Sequence, residues 1–343
     1  MKPTKDSLPR VTIAIATNED EGRIEACLRC ALGQDYPADA IDVVVADSMS
    51  MDATREIVLR IAAEDSRVRL VDNHHRTRAG ALNAVLADCR GEVIVPMDPG
   101  GDFARTHVAK CVEALSSLPA EHLAIVPRSS GRTLVERALG AVQATRLAFA
   151  AGAELVRGPE SEPAFLGAIR RRVFERVGLY DPGMRCEEDV ELSQRITRAG
   201  GALAVRRDIV VHRPDASSFK DLFRRHYQLG RSRGRRTVKE RRIGSLRELG
   251  PLAIVVGGGA LAATATVQPL TPLAFAGYAL MTGAAAVRVG RREGVVTIPI
   301  AWAAYPVMHL AHGAGFGAGL VRSAIRPDWK AAPPPGAPHA ASA

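Results

Sequence analysis

Four short apolar stretches in the first hundred residues determine the fold class: Val11-Thr-Ile-Ala-Ile-Ala16, Ile41-Asp-Val-Val-Val-Ala46, Val68-Arg-Leu-Val71 and Glu92-Val-Ile-Val-Pro96. Most of them are rich in β-branched residues and end at polar residues, a pattern typical of strands buried on both faces. Three segments with helical spacing lie between them, Glu21–Leu32, Ala53–Ala63 and Ala79–Asp88. This alternation predicts an α/β fold with a doubly wound, mostly parallel sheet. Further along the chain, the sequence predicts a helix-rich middle over Leu134–Val156 and one strand over Val205–Val211 that ends at His212.

Polar side chains follow the predicted strands where ligands bind in such sheets, beyond their carboxyl ends. Thr17 and Glu19 follow the first strand, Asp47 the second, Asn73 the third and Asp98 the fourth. The first strand leads into acidic residues and not into a Gly-x-Gly-x-x-Gly loop, which excludes a dinucleotide-binding site of the NAD type.

The charge of the chain is concentrated in one segment. The 343 residues carry a net charge of +9, and residues 220–247, with eleven Lys or Arg and two acidic residues, account for all of it. Only 4% of residues are aromatic, so stacking platforms among the basic residues are lacking and nucleic-acid binding is excluded. The segment predicts a basic amphipathic helix, Phe219–Leu229, and an arginine run at a membrane surface. The five cysteines form no disulfide or zinc framework, which indicates a reducing compartment.

An uncharged region follows the basic segment. Residues 249–287 contain no formal charge over 39 positions. A helix of that length measures about 58 Å, enough for two crossings of a bilayer, with the turn at Gln268–Pro272. The alternative is a buried apolar hairpin of a soluble domain. A third uncharged run, Gly294–Val321, leaves the number of crossings at two or three.

Six motifs in order along residues 10 to 240 resemble those of family 2 glycosyltransferases with the GT-A fold, especially the membrane-associated succinoglycan glucosyltransferase subgroup. They are Ile15-Ala-Thr-Asn-Glu19, Val45-Ala-Asp-Ser-Met-Ser-Met-Asp-Ala-Thr54, Arg78-Ala-Gly-Ala-Leu-Asn83, Gly91-Glu-Val-Ile-Val-Pro-Met-Asp98, Gly178-Leu-Tyr-Asp181 and Glu188-Asp-Val-Glu-Leu192, the last with Arg195. The resemblance implies a GT-A catalytic domain followed by C-terminal transmembrane helices.

The expected domains follow from this resemblance and from the charge pattern. They are an N-terminal tail (1–9), a GT-A domain (10–218) with a donor half (10–102) and an acceptor half (103–218), a basic membrane-interface segment (219–248), two or three transmembrane helices (249–323) and a disordered tail (324–343). The polar N-terminus has too short an apolar run for a signal peptide, so the catalytic domain is expected in the cytoplasm.

The resemblance also implies which residues bind a nucleotide-diphosphate sugar. They are Thr17, Glu19, Asp47, Ser50, Arg78, Asn83 and Asp98. Asp47 would accept hydrogen bonds from the base or ribose, and Arg78 would reach the diphosphate. The alternatives are a turn-capping role for Asp47 and an ordinary exposed position for Arg78.

The metal-binding motif departs from the family pattern. The family has Asp-x-Asp or Asp-x-His, on which Mg²⁺ or Mn²⁺ bridges the diphosphate. Here the segment reads Asp98-Pro-Gly100-Gly-Asp102, and Gly100 has no ligand side chain. The expected metal ligands are Asp98, Asp102 and His212. Asp102 has the alternative role of a helix cap, and His212 that of a structural histidine.

Asp189 is the expected general base, with Glu188 beside it. An inverting transfer needs a carboxylate that accepts the acceptor's proton, and Glu188 would tune its neighbour electrostatically. The alternative is an acidic helix start that is stabilised by the helix dipole.

The predicted function is that of an inverting, non-processive glycosyltransferase of the inner membrane. It would transfer a sugar from a nucleotide-diphosphate donor to a polyprenyl-linked or polysaccharide acceptor, with membrane lipids and other polysaccharide-assembly proteins as partners. The alternative is a catalytically degenerate GT-A scaffold protein in a polysaccharide-assembly complex, because Gly100 breaks the metal motif.

Overall fold

The structure, a computed structural model, describes residues 8–148, 165–243, 246–264, 268 and 271–330. The chain divides into two compact units. Among the described residues, the sheet unit comprises 8–128 and 165–213, and the helical unit comprises 129–148 and those from 214 to 330. Residues 129–148, which the sequence assigned to the GT-A domain, group with the helical unit, where Leu139 and Val142 pack into its core.

The sheet unit is built on a seven-stranded sheet of order β3-β2-β1-β4-β8-β6-β9. The strands are β1 (Val11–Thr17), β2 (Ile41–Asp47), β3 (Val68–Asp72), β4 (Val93–Pro96), β5 (Asp102–Phe103), β6 (His122–Ile125), β7 (Arg128–Ser129), β8 (Phe165–Arg170), β9 (Leu203–Arg206) and β10 (Val211–Arg213). The pairs of β1 with β2, β1 with β4, β2 with β3 and β6 with β9 are parallel, and β8 runs antiparallel to β4 and β6. The mostly parallel sheet that the sequence predicted is confirmed.

Helices cover both faces of this sheet. They are α1 (Ile24–Leu32), α2 (Thr54–Glu64), α3 (Arg78–Asp88), α4 (His107–Ser117), α6 (Arg172–Val177) and α7 (Glu188–Arg198). Ile13 and Ile15 of β1 belong to one apolar core, and Ala14, between them, belongs to the core on the opposite face. The central strands are mostly apolar because both faces are buried. Two buried polar residues among them bond to each other, since the Thr12 hydroxyl donates to Asp42 at 2.9 Å.

One predicted strand is wrong. The sequence predicted a single strand over Val205–Val211, whereas the structure has β9 and β10 separated by a turn. Arg206 bonds to Asp208 across that break, with Nε to Oδ1 at 2.7 Å, which stabilises the turn. As a result, β10 leaves the main sheet and pairs antiparallel with β5.

The helical unit contains α5 (Leu134–Gln143), α8 (Phe219–Glu240), α9 (Gly250–Ala263), α10 (Thr271–Glu293) and α11 (Ile298–Ile325). The predicted helix-rich middle, Leu134–Val156, is helical over α5, and its last residues lie outside the described ones. All five cysteines of the chain are free thiols.

The basic segment differs from the expected surface helix. Helix α8 continues through the arginine run, and Arg233, Arg235 and Arg236 are buried within the protein. Arg236 donates to Glu248 at 2.6 Å, and Arg235 donates to Asp328 at 2.9 Å. These contacts compensate part of the basic charge internally.

Glycines allow α8 and α11 to approach backbone to backbone. A Cβ on Gly230 would lie 2.1 Å from the carbonyl oxygen of His312, and one on Gly315 would lie 2.1 Å from that of Tyr227. No side chain fits at such distances. The long helix α8 is therefore a packed element of the helical unit.

Three segments of the described chain form helices that are long and apolar enough to cross a membrane. They are Leu246–Ala263, Thr271–Glu293 and Val295–Ile325. The third apolar run, which the sequence left open, is thus one continuous helical segment. The predicted turn at Gln268–Pro272 lies partly outside the described residues. Within the tail predicted from residue 324, α11 extends to Ile325 and Asp328–Lys330 forms a 3₁₀ turn, and the remaining residues lie outside the described ones.

Candidate active site

The carboxyl ends of β1, β2 and β4 bring three predicted site residues to the same edge of the sheet. Thr17 and Asp47 are the last residues of β1 and β2, where they are register partners, and Asp98 follows β4 by two residues. Thr17 and Asp47 are buried, and Asp98 is partly exposed. This is the edge at which ligands bind in open α/β sheets.

Asp98 lies between two arginines. Arg78 Nε donates to Asp98 Oδ1 at 3.1 Å, and Arg213 Nη2 donates to Asp98 Oδ2. Arg213 is the last residue of β10, whose pairing with β5 places it there. Sequence reasoning missed Arg213 because it singled out the neighbouring His212. Arg213 could have been predicted from its position next to His212, at the polar end of a strand.

Arg78 also joins Asp98 to the acidic start of α7. Its Nη1 lies 2.7 Å from Glu188 Oε1 and 3.3 Å from both carboxylate oxygens of Asp189. Arg78 is the first residue of α3, where the side chain of Thr77 caps the helix. Burial opposes the charge on Arg78, yet the carboxylates of Asp189 and Glu188 raise its pKa overall.

The acidic pair is held in a largely buried position. Glu188 is 6% exposed and Asp189 is 8% exposed. Glu187, just before them, has a positive φ of 62°, a conformation that a non-glycine residue rarely adopts. Such backbone strain concentrates at functional sites. Burial raises the pKa of Tyr180 well above its usual value, as does the nearby charge of Asp189, so its hydroxyl stays protonated beside the pair.

The loop that carries Tyr180 is fixed by two further residues. Both ends of the Asn83 amide bond to the Tyr180 backbone, at 2.8 and 2.9 Å. Arg195 binds Glu191 with two hydrogen bonds and also donates to the carbonyl groups of Val177 and Leu179. The structure thus gives Asn83 a positioning contact, and its predicted contact with the donor stays a prediction.

The remaining predicted donor residues form a network within the turn after β2. Asp47 accepts from the Ser50 backbone at 3.0 Å, from the Ser50 hydroxyl and from Arg55 at 2.9 Å. Glu19 receives a hydrogen bond from the Met51 backbone at 2.8 Å and donates its own N–H to the Ser50 hydroxyl at 2.9 Å. The turn-capping role of Asp47 is therefore present, and its contact with a nucleotide stays a prediction.

The expected metal ligands do not form a ligand set. Asp102 and His212 are register partners in the pair of β5 with β10, while Gly100 leaves the second motif position empty of side-chain donors. Both oxygens of Asp98 are engaged by guanidinium groups. Within the described residues, no group of three or more His, Cys, Asp or Glu side chains is arranged to hold a metal ion. Mg²⁺ binds through one or two carboxylates plus substrate phosphates. Here the carboxylate of Asp98 already contacts two guanidinium groups, so the residues as they are arranged do not fit such an ion.

The site combines two opposite chemical properties. At one end, Glu188 and Asp189 share the Arg78 guanidinium, and a carboxylate is a group that can accept a proton. At the other end, Asp98 contacts the same guanidinium and that of Arg213, and guanidinium N–H groups can stabilise an anion. A transfer reaction that deprotonates one substrate and releases an anion from the other needs both properties.

Comparison with known proteins shows the kind of enzyme. Residues 12–178, which are 167 of the 343 residues, match the family model described as glycosyl transferase family 2. The protein is a glycosyltransferase with the GT-A fold. The matched residues contain most of β1 and the whole of β2, β3 and β4.

Full-length relatives support the same assignment. The chain is 28% identical to the succinoglycan biosynthesis protein ExoA of Rhizobium meliloti over 310 residues, 89% of this chain and 93% of that protein. It is 23% identical to glycosyltransferase AglE of Haloferax volcanii over 66% of this chain and 73% of AglE. Among solved structures, mannosyltransferase PcManGT of Pyrobaculum calidifontis, in complex with GDP-Man and Mn²⁺, has a TM-score of 0.60 and 25% identity, covering 90% of this chain and 89% of PcManGT.

Proposed function

We propose that this glycosyltransferase inverts the donor's anomeric configuration in a single displacement, with Asp189 as the general base. The observation that carries the proposal is the bridge of Arg78, which joins Asp98 at the donor edge to Glu188 and Asp189 at the start of α7. In a glycosyl transfer, a carboxylate such as Asp189 can accept the acceptor's proton, and a cation such as Arg78 can stabilise the negative charge on the leaving diphosphate.

The transfer step assigns a task to each end of the cluster. Asp189 accepts the proton of the acceptor hydroxyl while that oxygen forms a bond to the anomeric carbon. The bond from this carbon to the diphosphate oxygen breaks, and its electron pair leaves with the nucleoside diphosphate. Arg78 stabilises the charge that develops there. One displacement by the acceptor itself inverts the anomeric centre, since no enzyme-bound sugar is formed.

The proposed reaction does not depend on whether the protein binds a metal ion. One similar structure holds Mn²⁺ together with GDP-Man. Use of Mg²⁺ or Mn²⁺ by this chain stays a prediction that rests on Asp98, whose oxygens both contact arginines. No step of the proposed reaction runs through a metal ion.

The acceptor is proposed from the C-terminal helices. Three helices long and apolar enough to cross a membrane favour a lipid-linked or growing polysaccharide acceptor, and the relative named for succinoglycan biosynthesis supports a polysaccharide product. We propose a multi-pass protein of the inner membrane with its catalytic domain in the cytoplasm. Other polysaccharide-assembly proteins are the expected partners.

The scaffold function is the second candidate, and Gly100 is the observation that favours it. The two functions differ in turnover. Replacing Asp189 with Asn removes the proton acceptor from a near-isosteric side chain and should lower transfer by roughly 10²- to 10⁴-fold. Donor affinity should persist, because the donor edge is formed by residues 17 to 98.

A matched control is Glu175→Gln, which neutralises an exposed carboxylate on α6 of the same unit and should leave transfer unchanged. Near-normal turnover of Asp189→Asn would remove the base from this residue. If wild-type protein binds a nucleotide sugar and transfers none to lipid-linked or polysaccharide acceptors, the scaffold function is correct.

A further inference from the structure

Arg213 contacts Asp98, the carboxylate that the family motif assigns to the metal ion. Arg213 Nη2 contacts Asp98 Oδ2, while Arg78 Nε occupies the other carboxylate oxygen. A divalent ion on Asp98 would have to displace one of these guanidinium groups. The displaced group would then lie next to a dication, which is electrostatically unfavourable. Arg213 and a metal ion therefore compete for the same carboxylate.

Arg78 also retains a donor for an anion. A guanidinium has five N–H donors in a planar fork, and two parallel N–H groups match a phosphate oxygen pair. Arg78 Nη2 is buried and finds no hydrogen-bond partner in the described part of the chain. A buried, unused donor of this kind costs free energy unless a ligand accepts from it. The Arg78 guanidinium therefore has one N–H group for which the described residues supply no acceptor.

Asp98 positions both guanidinium groups. It accepts one hydrogen bond from each arginine and so holds them together near the end of β4. The cluster of three carboxylates and two guanidinium groups has a net charge of −1, and Arg78 is shared between its two ends. Arg213 adds its positive charge at Asp98, so the Asp98 end of the cluster is less negative than the end formed by Glu188 and Asp189.

We propose that Arg213, together with Arg78, binds the donor's diphosphate in place of a divalent ion, so that donor binding by this enzyme does not require a metal. This inference rests on the proposed function, because it assumes a nucleotide-diphosphate donor. It explains how a chain with Gly100 at the second motif position keeps a diphosphate site. It also makes Arg213 a substrate-binding residue that the motif pattern does not mark.

The test measures binding of UDP and GDP to the full-length protein in detergent, once with EDTA and once with Mn²⁺. The better-bound nucleotide is then compared with its monophosphate. Wild-type affinity for the diphosphate should change less than threefold between EDTA and Mn²⁺. Arg213→Gln should weaken the diphosphate roughly 10- to 100-fold, the loss expected for one charge-assisted contact, and the monophosphate much less. Arg213→Lys should restore part of the affinity, because it restores the charge without the fork.

The matched control is Arg60→Gln. Arg60 is an arginine of α2 in the same unit, and it pairs with a carboxylate outside the site, that of Glu25. This variant should bind the diphosphate like the wild type, and a circular dichroism spectrum equal to that of the wild type shows that Arg213→Gln is folded.

Two results would overturn the inference. One is loss of wild-type diphosphate binding in EDTA with recovery in Mn²⁺, and the other is normal binding by Arg213→Gln. The proposed transfer reaction fails separately: metal-independent, Arg213-dependent diphosphate binding without any sugar transfer would uphold this inference and contradict the catalytic function.

Discussion

Replacement of Arg78 with Met should destabilise the sheet unit more than any comparable loss of a surface arginine. Methionine keeps much of the side-chain volume and removes the charge. The change leaves the carboxylates of Asp98, Glu188 and Asp189 close together without the guanidinium that now contacts all three. The destabilisation therefore has two sources, three lost contacts and new repulsion between like charges.

The expected magnitude follows from burial. Removing one partner of a buried ion pair costs about 3–5 kcal/mol, and Arg78 is 23% exposed, so partial solvation reduces this to about 2–3 kcal/mol. Amides of β2 should then exchange with deuterium about 30- to 150-fold faster, if they exchange through unfolding of the whole unit. The control is Arg29→Met. Arg29 contacts Glu64 at a similar distance, 2.8 Å, but is 50% exposed, and its loss should leave exchange unchanged within about twofold.

A second substitution identifies the source of the loss. Glu188→Gln in the Arg78→Met protein removes one of the three like charges, so the double variant should exchange more slowly than Arg78→Met. Equal exchange rates for Arg78→Met and Arg29→Met would refute the proposed bridge. A double variant that exchanges as fast as Arg78→Met would show that lost packing, and not charge, is responsible.

Three further predictions concern other parts of the chain. Gly230→Ala should lower the unfolding temperature of the helical unit, because its Cβ would lie 2.1 Å from the His312 carbonyl oxygen. Gly258→Ala, whose Cβ would have nothing within 4 Å, should not lower it. The fluorescence of the two tryptophans of this unit measures the unfolding temperature. Burial lowers the pKa of His122 to about 4, so the unfolded state binds a proton at a higher pH than the folded state does. The sheet unit should therefore lose stability, of order 3 kcal/mol, as the pH falls from 6.5 to 4. A His122→Asn variant with the same pH dependence would contradict this. Asn83→Ala should speed deuterium exchange at residues 178–184, since it removes both hydrogen bonds to the Tyr180 backbone, and an unchanged exchange rate there would exclude the positioning role.

Much of the sheet was predictable because local pattern and burial coincide there. The strands that begin at Val11 and Ile41 are mostly apolar and are buried at nearly every or every position, as expected of strands with two covered faces. The break between β9 and β10 was not predictable from alternation. It depends on the ion pair of Arg206 with Asp208 and on pairing with β5, about a hundred residues earlier in the chain.

The arginine run shows why charge alone misleads. As a sequence it predicts an exposed basic surface, yet Arg235 and Arg236 are buried against Asp328 and Glu248. One of those partners is about ninety residues away in the chain. Charge pairing over such separations leaves no local signal, and the glycines that let α8 approach α11 have no meaning until the two helices are known to pack.

The structure brings several predicted site residues together through contacts that the sequence does not show. Asp98, Arg78, Glu188 and Asp189 were predicted individually, and the structure joins them through one guanidinium. The donor contact of Asn83 stays a prediction, and its amide also fixes the Tyr180 loop. Arg213 became visible only through the turn that redirects β10.

The most direct test of the catalytic proposal is the stereochemistry of the transferred sugar. Full-length enzyme is incubated with a panel of nucleotide-diphosphate sugars and a lipid-linked acceptor fraction, and the anomeric configuration of the new linkage is determined by nuclear magnetic resonance. We predict a product with inverted configuration, one nucleoside diphosphate released per linkage formed, and a roughly 10²- to 10⁴-fold slower release by Asp189→Asn. A product with retained configuration, or equal release by the wild type and by Asp189→Asn, would contradict single displacement with Asp189 as the base.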